Sequence, residues 1–192
     1  MIKHAFSLVA LAAALTSANV MAADNAAGGV ISFSGAVTDT TCTINGGKSA
    51  DFTVALSPIS VTDAGTNVGL VTKNKKSFSL TFSGCSPAAG VAGTPLKMYF
   101  SSADNISTDG KYLLNNSVNE SDTSVAKNVG FALTVPGTNA PIQLNVPFTT
   151  AVTGTEPTPE TVVFDAHYYK PNVAAAKVGA LSSNLTYTIS YL

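Results

Sequence analysis

Residues 184–192, NLTYTISYL, are the last in the sequence and carry its clearest structural signal. Leucine, tyrosine or isoleucine occupies every second position, and threonine or serine fills most positions between them. Successive side chains of a β-strand point to opposite faces, so this period of two predicts a half-buried strand with one apolar face. That face consists of Leu185, Tyr187, Ile189 and Tyr191.

Further segments of this kind precede the last one. In residues 161–170, Phe164, Ala166 and Tyr168 share a face, and the opposite face carries Asp165 and His167. Glycine, proline and asparagine between the segments predict tight turns, and no convincing helix is indicated after residue 22. About eight to ten short strands without helices predict an all-β sandwich. The other predicted strands are residues 35–44, 51–59, 77–85, 96–101, 128–135 and 142–149.

The composition limits the possible partners. The 192 residues suit one domain with a sizeable core. Charged residues make up 11% of the chain, arginine is absent, and the formal net charge is −1. Without a basic stripe or a guanidinium group to bind phosphate, the sequence argues against a nucleic-acid partner.

The first 22 residues have the pattern of a secretory signal. Lys3 precedes an apolar run at residues 8–15, and small residues lead up to Ala22, after which we predict cleavage. A transmembrane anchor is the competing interpretation, but the run is shorter than the roughly 20 apolar residues that a bilayer requires. The remaining chain is therefore predicted to be exported.

The chain has two cysteines, Cys42 and Cys85. In an exported protein, two cysteines predict one disulfide, which in the loop-closure model would stabilise the fold by about 4 kcal/mol. A redox or metal-binding pair is the alternative, but these residues lack the short spacing of such sites.

Catalytic groups are scarce. His167 is the only histidine after the predicted signal, and a lone histidine on a strand is more often a surface residue than a catalyst. Zinc and copper enzymes need more histidine ligands, and no glycine-rich phosphate loop precedes a helix. Nothing in the sequence places two carboxylates in a cleft, as a glycosidase requires. We therefore expect no enzyme activity, cofactor, metal or small-molecule substrate.

Two polar regions allow more than one interpretation. Lys73, Lys75 and Lys76 could meet an acidic partner, but a solvated sheet edge is the commoner explanation for such a cluster. Residues 104–123 predict a long exposed hairpin or loop, which could carry receptor contacts or be a plain connection.

Residues 23–37, ADNAAGGVISFSGAV, predict a further strand directly after the signal. Its apolar face contains Ala27, Gly29, Ile31 and Phe33. The segment could be an ordinary first strand of the sandwich, or a strand that is given to another subunit.

Several motifs together resemble the pilin subunits of chaperone–usher fimbriae, and most closely the major rod subunits of the type 1 kind. The motifs span nearly the whole chain after the signal, and their order and spacing carry the resemblance. They are GGVISFSGAV at 28–37, TTCTI at 40–44, FSLTFSGC at 78–85, NVGFALTV at 128–135, VVFDAHYY at 162–169, Gly179 fourteenth from the end and Tyr191 penultimate.

The resemblance implies an incomplete immunoglobulin-like sandwich that lacks its final strand. Residues 23–34 would be an N-terminal donor-strand extension, and residues 35–192 the pilin domain. The implied partners are neighbouring pilin subunits, a periplasmic chaperone and an outer-membrane usher. The implied location is a fimbria on the cell surface, reached through the periplasm. Strand addition between chaperone and pilin is an established recognition mode.

The resemblance also implies which residues form the site. Ala27, Gly29, Ile31 and Phe33 would be the donor positions, with Gly29 at the family's obligatory glycine. The acceptor groove would also bind the chaperone, through the same terminal strand. Its residues would be Phe164, Ala166 and Tyr168 on one side, Leu185, Tyr187, Ile189 and Tyr191 on the other, and Gly179.

Two alternatives remain within this family. The chain could be a minor adaptor, or an adhesive subunit that binds carbohydrate through Tyr112 or Tyr99. The absence of tryptophan weakens a sugar-stacking site, and the chain is too short for the separate lectin domain of a tip adhesin. A terminator subunit is disfavoured because the donor segment has Gly29 in place.

Overall fold

The computed structural model describes residues 37, 41–48, 50–86, 93–116 and 121–191. The predicted signal at 1–22 and the predicted donor extension at 23–34 lie outside these residues. The chain divides into two units, Met1–Gly35 and Ala36–Leu192, and the fold described below belongs to the second unit.

Seven strands in the described part of the chain form two sheets. One sheet has the order β1-β2-β6-β4 and the other has the order β5-β3-β7. All five ladders between these strands are antiparallel, which confirms the predicted all-β sandwich. The strands are β1 Thr41–Ile44, β2 Gly69–Ser86, β3 Lys97–Ser101, β4 Gly130–Thr134, β5 Pro147–Thr149, β6 Glu160–Lys170 and β7 Thr186–Ser190.

The core lies between the two sheets and is centred on Phe164 of β6, which is fully buried. The ring of Phe164 meets Phe100 of β3 edge-on at 5.4 Å and Phe148 of β5 at 5.7 Å. Alternation along β3 explains its share of the core, because Met98 and Phe100 are buried whereas Tyr99 between them is exposed. The inward positions predicted for β3 are confirmed.

The registers of the long strands define two ends of the sandwich. Thr41 of β1 pairs with Ser86, so the chain enters its first described strand where β2 finishes. Gly69, where β2 begins, pairs with Lys170, where β6 finishes. The segment that follows Lys170 therefore starts at the opposite end of the sandwich from Thr41.

β1 pairs with β2 only between Phe82 and Ser86, so the lysine cluster lies in a part of β2 that has no strand on that side among the described residues. The register of β2 against β6 shifts between Val71 and Lys76, which marks a bulge in that part of the strand. All three lysines are exposed in this stretch, which agrees with the interpretation as a solvated edge.

Two local predictions fail. Residues 51–59 were expected to form a strand, but no strand is assigned there. The described residues also contain two short helical turns, of which Val61–Ala64 begins at a Ser60 cap. The Ser60 side chain accepts from the Asp63 backbone N–H at 3.0 Å, and the Asp63 carboxylate accepts from the Ser60 N–H at 3.0 Å. No helix in the described ranges is long and apolar enough to cross a membrane.

Candidate functional site

The disulfide joins Cys42 and Cys85, as predicted, with their Cα atoms 4.1 Å apart. It links β1 to the C-terminal end of β2. The backbone of Gly154 lies beside the disulfide, and its carbonyl oxygen accepts from the Cys85 N–H at 2.9 Å. A Cβ atom at Gly154 would lie 2.6 Å from the Cys85 sulfur, so a larger residue would force the Gly154 backbone or the disulfide to shift.

The terminal strand β7 stands at the end of the three-stranded sheet and pairs with β3 from Thr186 to Ser190. Ile189 and Tyr191 are buried in the core, and the Tyr191 hydroxyl donates to the Thr153 carbonyl oxygen at 2.5 Å. Leu185 and Tyr187 are partly buried and pack against the same core. The apolar face predicted from the alternation in the sequence is therefore the face of β7 that packs on the core.

The residues predicted for the other side of the groove lie on β6. Phe164 and Ala166 belong to the same core cluster as Ile189 and Tyr191. Tyr168 is buried outside that cluster, where its ring lies 5.5 Å from Phe131. The structure therefore brings six of the predicted groove residues around one core and places Tyr168 further along the same strand.

Sequence analysis missed the role of residues 52–57, which run between the two predicted sides. The Tyr187 hydroxyl donates to the Ala50 carbonyl oxygen at 2.9 Å, just before this segment. The Tyr168 hydroxyl donates to the Ser57 carbonyl oxygen at 3.2 Å, at its far end. The segment thus passes from β7 in one sheet to β6 in the other.

This segment, which we call the crossing segment, has the burial pattern of a strand without a ladder. Val54 and Leu56 pack against the core, whereas Thr53, Ala55 and Ser57 are exposed. Within the described ranges, no backbone–backbone hydrogen bond joins residues 52–57 to another residue. Unpaired backbone groups beside an apolar surface are the features that strand addition uses.

Phe52 adds an exposed aromatic ring to this surface. It is 45% exposed, and its ring centroid lies 6.4 Å from that of Tyr187 and 5.6 Å from that of Phe78. The pKa of the Tyr187 hydroxyl is raised, first by burial and then by the negative charge of Asp51. Tyr187 therefore stays neutral at physiological pH and can serve as a hydrogen-bond donor.

Gly179 does not lie among the groove residues. A Cβ atom at this position would lie 2.3 Å from the Val125 carbonyl carbon and 2.5 Å from the Ala126 nitrogen. Its φ of +155° is also one that side-chain-bearing residues rarely adopt. In this structure, the glycine is required for close backbone packing against residues 124–126.

The face of β6 that carries Asp165 and His167 is buried, so the expectation that His167 is a surface residue is wrong. Both residues are almost inaccessible, because β6 is buried on both faces from Phe164 onward. Lys75 and Ser77 donate to Asp165 at 2.7 and 2.5 Å, and these hydrogen bonds lower the pKa of the carboxyl. Burial lowers the pKa of His167, whose Nε2 lies 3.2 Å from the Thr134 hydroxyl.

Tyr112 and Tyr99 were the candidates for a sugar-stacking site. Tyr112 stacks on Tyr169, with 4.9 Å between ring centroids and 12° between ring planes. One face of Tyr112 is therefore already covered by a protein ring, which leaves less surface for a sugar. Tyr99 is 37% exposed on β3. Among the described residues, no group of acidic, histidine and cysteine side chains could hold a metal ion.

The fold and the site together define a small, disulfide-linked β-sandwich of the immunoglobulin-like class. Beside its two sheets runs the crossing segment, which forms no backbone–backbone hydrogen bond within the described residues. A chaperone–usher pilus structure that explains rod uncoiling is similar to this chain, with 18% identity, coverage of 86% of this chain and 96% of that one, and a TM-score of 0.56. The crystal structure of PapA, the P pilus rod subunit, is similar with 19% identity, coverage of 85% and 100%, and a TM-score of 0.52.

The model of the fimbrial protein family matches residues 31–192, and the chain belongs to this family. The predicted pilin fold is confirmed by this match and by the two pilus structures. The family consists of structural subunits of surface pili. No curated protein sequence matches the chain.

Proposed function

We propose that the protein is a fimbrial subunit that polymerises head-to-tail by donor-strand exchange. Residues 23–34 of one copy would insert beside β7 of the next copy and complete its sandwich. The observation that carries this proposal is the crossing segment, which packs Val54 and Leu56 on the core without a backbone ladder among the described residues.

Burial of the donor side chains would supply much of the binding energy. Moving Ile31 and Phe33 from water into an apolar groove contributes about 1.5 to 3 kcal/mol for each side chain. Main-chain hydrogen bonds along the added strand contribute about 1 kcal/mol each. A contact between two different surfaces of one subunit does not close on itself, so repetition builds a filament.

The resemblance and the family support the remaining parts of the proposal. An exposed apolar groove needs protection before assembly, and a periplasmic chaperone that lends a strand would supply it. An outer-membrane usher would then exchange that strand for the donor of the next subunit. The expected route passes through the periplasm to the cell surface, and the expected product is a homopolymer.

Substitution of two neighbouring glycines tests the proposal. Gly29 and Gly28 are adjacent in the donor segment and point to opposite faces of a strand. We expect Gly29→Val to abolish fibres seen by electron microscopy, because the added side chain would collide with the groove floor. The matched Gly28→Val control should keep its fibres.

A binding assay separates the donor segment from other causes of failed assembly. A synthetic peptide of residues 23–34 should bind the chain that lacks these residues, and the same peptide with Gly29→Val should not. If the shortened chain still assembles into fibres, or if both peptides bind equally, the donor assignment is wrong.

The adaptor alternative uses the same groove and differs in the number of copies in a fibre. Immunogold labelling with an antibody to the folded chain would decide between the two. Label along the whole shaft supports a major subunit, whereas label at one end supports an adaptor or adhesive subunit. Purified protein that binds glycans in an array would favour the adhesive role.

A further inference from the structure

Three valines outside the predicted groove are unusually exposed. Val173 and Val178 are 74% and 80% exposed, and Val37 is 99% exposed. Single apolar residues on a surface are common, but these three are the most exposed of the large hydrophobic residues described. Val173 and Val178 both lie in residues 171–182, which we call the terminal loop because it leads into β7.

The terminal loop is held in place by polar side chains. Lys170 is fully buried, and its Nζ donates to the Asn128 carbonyl oxygen at 3.1 Å and to the Ala174 carbonyl oxygen. The amide nitrogen of Asn128 donates to the Ala175 carbonyl oxygen at 2.9 Å.

A second anchor lies nearer to β7. The amide nitrogen of Asn115 donates to the Ala180 carbonyl oxygen at 2.9 Å, and its amide oxygen accepts from the Ser182 N–H at 3.1 Å. An anchored loop presents its exposed side chains without the entropy cost of ordering them on contact. Val173 and Val178 are therefore suited to an interface.

Val37 and the terminal loop cannot meet within one copy, because they lie at opposite ends of the sandwich. Thr41, four residues after Val37, pairs with Ser86 at the end where β2 finishes. Lys170, directly before the terminal loop, pairs with Gly69 at the end where β2 begins. Such an arrangement suits a contact between successive copies in a head-to-tail filament.

The direction of an added strand brings the two surfaces together. The five ladders between described strands are antiparallel, and a donor that follows the same rule runs antiparallel to β7. Its last residues then lie beside Thr186, where β7 begins after the terminal loop. Val37 follows residue 34 by three positions, which span at most about 10 Å.

We propose that Val37 of one copy packs against Val173 and Val178 of the copy that holds its donor strand. This inference rests on the proposed donor exchange and adds a second contact at the same junction. The contact would restrict bending between successive subunits. It would hold the domain of the copy that gives the donor strand against the terminal loop of the copy that receives it.

Cysteine crosslinking tests this contact directly. The chain has only Cys42 and Cys85, which are bonded to each other, so introduced cysteines would be the free thiols. In fibres of the double variant Val37→Cys/Val178→Cys, mild oxidation should produce a ladder of covalent multimers on a non-reducing gel. A second pair, Val37→Cys/Val173→Cys, tests the same surface if the first geometry prevents bond formation.

The control pair is Val37→Cys/Val163→Cys. Val163 is 41% exposed on β6, seven residues before Lys170 and so about 23 Å along the strand. Multimers from either test pair, with none from the control, support the contact. Multimers from no pair, or equally from the control, overturn it.

The proposed function can fail separately from this inference. If the donor peptide of residues 23–34 does not bind the shortened chain, donor exchange is wrong, and the Val37 contact that depends on it is wrong as well. If the peptide binds and wild-type fibres form but the test pairs do not crosslink, only the Val37 contact is wrong.

Discussion

Lys75 Nζ lies 2.7 Å from Asp165 Oδ2, although the lysine side chain is half exposed and the aspartate side chain is 4% exposed. Ser77 donates a second hydrogen bond to the same carboxylate at 2.5 Å. The bulge in β2 thus contributes a cation to a carboxylate that the fold buries on β6. Of the three lysines in the cluster identified in the sequence, Lys75 therefore has a buried partner.

Removal of this cation should destabilise the fold. In Lys75→Met, the Asp165 carboxylate stays buried without its charge partner. We expect the free energy of unfolding to fall by about 2 kcal/mol, which lies between the values typical of exposed and of buried salt bridges. Urea unfolding of residues 23–192 measures the change. Lys76→Met is the matched control, because Lys76 is exposed and forms no salt bridge among the described residues.

The pH dependence of that loss provides a sharper check. Hydrogen bonds from Lys75 and Ser77 lower the pKa of Asp165 in the folded state, so the stabilisation is present above the ordinary pKa of about 4. It is lost as the pH falls below that value toward the folded-state pKa. The difference between Lys75→Met and wild type should therefore shrink in this window, and a constant difference would contradict the assignment.

His167 should make the fold less stable in mild acid. Burial lowers its pKa in the folded state, against the opposing effects of the Val71 backbone and the Asp165 charge, and the charge of Lys75 lowers it slightly further. As the pH falls below about 6.5, the unfolded chain takes up a proton that folded His167 does not, so the free energy of unfolding decreases. The decrease is at most about 1.4 kcal/mol per pH unit for one proton.

Comparison with His167→Gln isolates this effect. His167 is the only histidine in residues 23–192, so the variant should be equally stable at pH 7 and pH 5.5 apart from the carboxylates. Urea unfolding at the two pH values measures the difference. An identical pH dependence in wild type and variant would show that His167 is protonated equally in both states.

Much of the fold can be predicted from the sequence because the signals are local. The period of two in residues 184–192 predicts β7, and the two faces of residues 161–170 predict β6. Two cysteines in an exported chain are enough to predict the disulfide. These features depend on side-chain alternation or on counts, which a single sequence contains.

The remaining features depend on contacts that a single sequence does not show. The crossing segment alternates like a strand but has no ladder among the described residues, so alternation alone assigned it wrongly. Lys170 and His167 are buried because β6 is covered on both faces, and polar residues in an alternating strand predict the opposite. The helix at Val61–Ala64 is too short to show a hydrophobic period.

Loss of the disulfide should destabilise the fold strongly. Cys42 and Cys85 are separated by 43 residues, and the loop-closure model gives about 4 kcal/mol for a loop of this size. We expect the double variant Cys42→Ser/Cys85→Ser to unfold at a much lower urea concentration than wild type. The reduced wild-type chain is the control, and it should match the double variant. A small shift of the unfolding midpoint in both samples would show that the core keeps the fold stable without the disulfide.

Gly179 and Gly137 allow the cost of close packing to be separated from the cost of backbone conformation. Both have positive φ, +155° and +81°, but a Cβ atom at Gly137 would meet nothing within 4 Å. Gly137→Ala should therefore show only conformational strain, of about 1 kcal/mol. Gly179→Ala should cost about 1 to 3 kcal/mol more, because its Cβ atom must displace the backbone of Val125 and Ala126.

Urea unfolding compares the two variants, and hydrogen exchange locates the damage. The amides of Ala126 and Ala180 bond to the Ala180 and Ser124 carbonyl oxygens at 2.8 and 2.7 Å, so they report directly on the packing beside Gly179. We expect faster exchange of both amides in Gly179→Ala and unchanged exchange in Gly137→Ala. Equal losses of stability in the two variants, with the two amides still protected, would mean that Gly179 is needed for its backbone angle alone.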